Sequence, residues 1–189
     1  MKAGRLVLVV GPSGAGKDSI LRYAQLRFRG DERFIFPRRV VTRKADTVAE
    51  DHDSIDVDSF DTLVRQGAFA LQWEAHGLRY GVRREIEEHL HRKRIVAINV
   101  SRTIVPEAIH RYPHTLIAEI HAAAEIRATR VAARARETLA ENVARAERYV
   151  PPLPAAPFTY CIDNDGSLEE AGEAFCRLLT HAESALVKN

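Results

Sequence analysis

Short β-branched or apolar runs alternate along the chain with longer stretches of helical period. The runs predict strands over residues 5–10, 34–42, 69–74, 95–100, 115–120 and 158–162. The periodic stretches predict helices over 17–29, 59–66, 83–91, 105–111, 124–134, 139–149 and 167–183. Such alternation implies crossover connections and a mainly parallel sheet covered by helices on both faces. Two segments break the pattern. Residues 44–58, KADTVAEDHDSIDVD, are polar and acidic without a period, which suits an excursion at the edge of a binding site. Residues 150–157, VPPLPAAP, hold four prolines and predict an extended connector into the last strand.

With 189 residues, 46% apolar and 29% charged, the chain has the size and composition of one globular domain that buries its core without staples. No apolar run is long enough to span a bilayer, and the N-terminus enters a strand without a hydrophobic leader, so a cytoplasmic location and no membrane partner are expected. The two cysteines, Cys161 and Cys176, have no metal-ligand spacing and read as small buried residues of a reducing compartment. A net charge of +2 argues against a nucleic-acid partner. Of the 28 basic residues 23 are Arg, a bias that fits phosphate recognition and an Arg-rich genome equally.

The chemistry starts at GPSGAGKDS, residues 11–19. Gly11, Pro12, Ser13, Gly14, Ala15, Gly16 and Lys17 satisfy G-x-x-x-x-G-K, directly after a strand and before a helix. Glycines let successive amides turn toward phosphate oxygens, the helix end adds positive potential, and Lys17 supplies a mobile charge. This loop predicts ATP with Mg2+; an ordinary Gly-rich turn is the competing reading. Asp18 stands where such loops place a magnesium-binding hydroxyl. As a first-turn carboxylate it complements the helix dipole, and as a ligand it holds Mg2+ directly or through water. Ser19, one position on, offers a hydroxyl in a different direction.

Together with VVTR at 40–43, the F-x-x-x-x-E-x-x-G-x-x-Y-G pattern from Phe69 to Gly81, RVAARAR at 130–136 and DNDG at 163–166, the loop resembles the guanylate kinase branch of the nucleoside monophosphate kinases over nearly the whole chain. Within that branch GKD, FPRRVVTR and LQWEAHGLRYGV are similar to the ribose 1,5-bisphosphate phosphokinase family of bacterial phosphonate breakdown. The resemblance implies a three-layer P-loop NTPase fold with a five-stranded, mainly parallel sheet in one domain over 1–189. It adds a small acceptor-binding excursion over about 36–82 and a helical lid over about 124–148. It also implies an ATP-dependent phosphotransferase making 5-phosphoribosyl 1-diphosphate.

The resemblance further assigns residues. Lys17, Arg43, Arg130 and Arg134 are expected at the transferring phosphate, with Arg136 and Asn164 on the nucleotide. Arg38, Arg39, His52, Glu74, Tyr80, Gly81 and Arg145 are expected toward the acceptor, as is Arg43, whose matched position contacts the acceptor phosphate. Ordinary readings stand beside these: a solvated edge pair for Arg38 and Arg39, a solvated helix face for the arginines after 130, and a plain turn for DNDG. The departures from guanylate kinase matter more. Leu71 and Asn99 replace residues that read guanine, and Asp46 replaces a phosphate-binding Arg, which points to a phosphosugar without a base. The other two readings are a guanylate or other nucleoside monophosphate kinase and a non-catalytic interaction module. The remaining histidines, His121 among them, carry no assigned chemistry, and a homodimer is left open.

Overall fold

The computed structural model describes residues 4–43, 52–75, 77–133 and 158–187. Five parallel strands form its central sheet: β1 (Arg5–Val10), β2 (Phe34–Ile35), β7 (Ile95–Asn99), β8 (Leu116–His121) and β9 (Thr159–Asp163), in the order β2-β7-β1-β8-β9. Alternation along β1 decides the two cores. Val7 and Val9 join Ile20, Ala24, Ala171, Phe175 and Leu179 under α1 (Lys17–Arg27) and α6 (Leu168–Val187). Leu6, Leu8 and Val10 join Ile86, Leu90, Val105 and Ala108 under α3 (Ile86–His91) and α4 (Val105–Arg111). Each fully buried Val or Leu of this kind contributes about 1.5–3 kcal/mol. The layers are therefore helix, sheet, helix, as the α/β P-loop reading expects.

A second sheet, β4-β3-β6-β5, sits beside the first and comprises β4 (His52–Ser54), β3 (Arg39–Val41), β6 (Leu78–Arg83) and β5 (Phe69–Ala75). Here β5 and β6 form an antiparallel hairpin through the turn at Gly77. Helix α2 (Val57–Arg65) covers this sheet by stacking Phe60 on Phe69 at 4.7 Å, with Val40 alongside. Asp56 caps α2 by accepting from the Ser59 amide at 2.8 Å.

Several boundaries differ from the sequence expectation. The strand expected over 34–42 is two strands in two sheets, because Pro37 lies between them and has no N–H to extend either ladder. Strand β6 lies between the predicted strand 69–74 and the predicted helix 83–91, whose observed counterpart starts at Ile86. The aperiodic segment 44–58 ends in β4 and the start of α2. Helix α6 runs on to Val187, and α5 (Ala124–Ala133) follows β8. The expected helix at 139–149 and the connector at 150–157 lie outside the described residues.

Order in the central sheet positions the site. Because β1 leads on to β2 on one side while β7 crosses over β1 to reach β8 on the other, the carboxyl ends of these three strands open a crevice.

Candidate functional site

Gly11 to Gly16 leave the end of β1 in that crevice and enter α1 at Lys17. Gly16 is the N-cap of α1 with φ +93°, and among the described residues no side chain caps this end of the helix, whose first turn carries the positive end of the helix dipole. A Cβ at Gly16 would run into the Asn164 Nδ2 atom. Lys17 Nζ folds back to donate to the carbonyls of Gly11 and Pro12, each at 2.9 Å, which holds its charge within the loop. Ser13 is exposed, Ala15 is buried, and Ser19 is half-buried on α1.

Two side chains brace the loop from behind. Asn164, just after β9, is buried and donates to the Ala15 carbonyl at 2.7 Å, while its amide donates to the His121 carbonyl at 2.9 Å. On the other side, α5 packs so tightly that a Cβ on Gly14 would lie 2.7 Å from the Arg127 carbonyl oxygen. Arg130 on α5 reaches the loop, its Nη1 within 3.8 Å of where a Gly16 Cβ would stand. That Nη1 is buried and unpaired among the described residues, as is Asn164 Oδ1. An uncapped helix end, a held ammonium and an orphaned guanidinium nitrogen fit a polyphosphate. Arg134, Arg136 and Arg145 lie outside the described residues.

Asp18 answers the question posed by its place in the loop. Asn99, at the end of β7, donates to Asp18 Oδ1 at 2.7 Å, and Arg39 Nη2 stands 3.7 Å from the same oxygen. Both partners approach one oxygen of the carboxylate, and a carboxylate at this end of the helix is a ligand type that fits hydrated Mg2+. Arg39 is only 14% exposed and lies over the Tyr80 ring at 5.9 Å, with Tyr80 in turn stacked on Trp73 at 5.3 Å. The phosphate loop and the second sheet thus meet through one guanidinium.

The other acceptor-side residues divide. Arg43 is half-buried just beyond β3. Gly81 is buried in β6, opposite Val40 and Gln72 and flush against the Phe69 ring. Arg38, by contrast, donates to the His52 carbonyl at 2.7 Å and pairs with Asp53 at 3.1 Å, an exposed arrangement that ties the approach to β3 onto β4. His52 is half-buried in β4, and Glu74 is 80% exposed beside Arg79, which itself pairs with Asp61 at 2.6 Å. Leu71, at a position that reads guanine in guanylate kinases, is 1% exposed inside the core under α3 and α4. The partnership of Asn99 with Asp18 and the Trp73 to Tyr80 stack were not anticipated, because neither has a spacing signature in the chain.

One sequence expectation about the thiols is corrected. Cys176 is buried, and burial raises its pKa to about 11, whereas Cys161 is exposed on β9, the outermost strand of the sheet.

No family model matches the chain. Among curated relatives, the ribose 1,5-bisphosphate phosphokinase of Acidiphilium cryptum is 47% identical over 178 residues, covering 94% of this chain and 93% of that one. The enzyme of the same name from Thiobacillus denitrificans is 39% identical over 188 residues, covering 98% and 97%. Among solved structures, guanylate kinase from Anaplasma phagocytophilum superposes with a TM-score of 0.67 at 17% identity, over 96% of this chain and 87% of that one, a likeness of fold.

Proposed function

The chain belongs to the ribose 1,5-bisphosphate phosphokinase family, and from that premise we propose that it moves the γ-phosphoryl group of ATP onto the 1-phosphate of ribose 1,5-bisphosphate. A 1-phosphate oxygen forms the new bond to the γ-phosphorus, the bridging bond to the β-phosphate breaks, and ADP leaves beside 5-phospho-α-D-ribose 1-diphosphate. The attacking oxygen is already anionic, so the reaction needs alignment and charge neutralisation more than a strong base.

The observation that carries this reading is that neither purine-reading position is available to a base: Leu71 is sealed in the core, and the Asn99 amide is committed to Asp18. What faces the loop instead is Arg39 on its aromatic support, a donor suited to a sugar phosphate. In this mechanism Lys17 leaves the Gly11 and Pro12 carbonyls for the β- and γ-phosphates. The first-turn amides of α1 hold the same oxygens, and Arg130 neutralises charge that develops on the transferring group. Arg43 and Arg39 orient the acceptor, and the lid arginines Arg134, Arg136 and Arg145 complete the enclosure. Asp18, steadied by Asn99, would hold Mg2+, which supplies Lewis-acid neutralisation of the phosphates when bound. The enzyme is assigned to the cytoplasm, where ATP is available; no helix among the described residues is long and apolar enough to cross a membrane.

ADP release measured side by side with ribose 1,5-bisphosphate and with each nucleoside monophosphate tests the acceptor. The sugar bisphosphate is expected to be the preferred substrate by about a hundredfold or more in kcat/KM, since an unmet base and a misplaced phosphate each weaken transition-state binding. A clear preference for GMP would reject the reading in favour of a nucleoside monophosphate kinase.

A further inference from the structure

Beside the base of the phosphate loop, one face of the sheet gathers three metal-type ligands from two strands. Glu119 and His121 project from the same face of β8, and Cys161 on β9 is the register partner of Glu119. The ligand atoms of all three lie within 4.8 Å of one another. Glu119 is anchored from one side: its Oε1 accepts from Arg102 Nη2 at 2.6 Å, and both side chains of that pair are largely buried. Its Oε2 faces His121 Nε2 at 3.2 Å. At that distance the pair is joined either by a hydrogen bond from the Nε2–H tautomer of the imidazole or by a cation held between the two ligand atoms. The Cys161 sulfur beside them makes the choice of metal specific.

We propose that Glu119, His121 and Cys161 form a site for a single thiophilic divalent cation of the Zn2+ type, separate from the magnesium-binding oxygen site at Asp18. The donor set of one oxygen, one nitrogen and one sulfur selects a borderline-soft ion over Mg2+ or Ca2+, which take oxygen ligands. Bonds of about 2.0–2.3 Å in a tetrahedral shell put ligand atoms about 3.3–3.6 Å apart, so modest rotation of the exposed Cys161 and His121 side chains closes the site. The solvent side leaves the fourth position to water. Arg102 has the outer-shell role: it fixes the carboxylate through the oxygen the ion does not use. Because Glu119 pairs in register with Val10, the last residue before the phosphate loop, the ion would pin β8 to β9 at the strand ends that support that loop.

The test is titration of the full chain with Co2+ in magnesium-free buffer, followed by absorption. A thiolate-to-cobalt charge-transfer band with tetrahedral ligand-field bands is expected to saturate at one equivalent and to vanish when Zn2+ displaces Co2+. Cys161→Ser should abolish the charge-transfer band, His121→Ala should weaken affinity by about tenfold or more, and Cys176→Ala should leave the spectrum unchanged. Circular dichroism checks that each variant is folded, and His121→Gln replaces His121→Ala should the latter not fold. The absence of a thiolate band in the folded wild-type chain overturns the proposal. So does a band that survives Cys161→Ser, or an affinity unaffected by loss of the imidazole.

Discussion

The Asn99 side chain donates to Asp18 across 2.7 Å and joins the end of β7 to the first turn of α1. A neutral amide at the strand end and a carboxylate in the loop form a complementary pair, in which the single negative charge sits on the helix and the strand only steers it. Asn99→Leu is therefore expected to raise the Mg2+ concentration for half-maximal activity by about tenfold to a hundredfold while leaving ATP affinity without metal unchanged. Kinase assays across a magnesium series check this, and an unaltered series would assign Asp18 a helix-dipole role alone.

Gly16→Ala should damage nucleotide binding more than folding. The substitution forces a side chain at φ +93° and drives it into Asn164, the clamp on the Ala15 carbonyl. A left-handed non-glycine residue costs about 1–2 kcal/mol. If the loop escapes by shifting, ATP binding falls about tenfold for each 1.4 kcal/mol lost, which calorimetry would register.

Gly81→Ala acts in the second sheet. A Cβ there would sit 2.5 Å from the Phe69 Cδ1 atom, and Phe69 is itself stacked on Phe60. Overpacking of about 1–3 kcal/mol is expected in urea unfolding, with a raised KM for the sugar bisphosphate and little change in KM for ATP.

Leu71→Glu restores the type of residue that guanylate kinases use to read the base, yet it should not create a GMP kinase. The position lies in the core with Ile86 and Val82, so the change is expected to destabilise the protein by at least about 3 kcal/mol. Denaturation curves and a GMP-dependent ADP assay check both halves of the expectation.

The two thiols should respond differently to alkylation and to pH. At pH 8 Cys161 is expected to react first, because Cys176 is buried with its thiol pushed up to about 11. The sign of the stability effect follows. The folded state favours the protonated Cys176 thiol, so that contribution is whole below the ordinary value of 9.0 and fades as pH rises toward about 11. Cys176→Ala should flatten the decline in stability over that range.

The phosphate loop was legible because its chemistry is local: seven consecutive residues build the turn, and the flanking apolar strand and helical period confirm its context. Pro37 could have divided the 34–42 run, since a residue without an N–H cannot continue a ladder, but the β-branched pair at 40–41 reads as a continuation of FIF. Strand β6 was open to reading, since Leu78, Tyr80 and Val82 alternate with Arg79, Gly81 and Arg83 at the period of a half-buried strand. Arg38 and Arg39 are adjacent and chemically identical, yet one binds β4 and the other approaches Asp18; alternation across a strand separates them, and only the sheet shows which face meets the loop. Glu119 and His121 share a face of β8 through their i, i+2 spacing, but only cross-strand register brings Cys161 to them, 42 positions on from Glu119 in the chain.

The bond from Asn164 to the Ala15 carbonyl spans 149 positions of the chain and makes the loop's shape depend on the junction between β9 and α6. Occupancy of the loop by a polyanion is thereby linked to the local unfolding of that junction, so a saturating nucleotide should slow amide exchange in β9 and the start of α6 as well as in α1. The amino-terminal and carboxy-terminal ends of the polypeptide then share one ligand-dependent equilibrium.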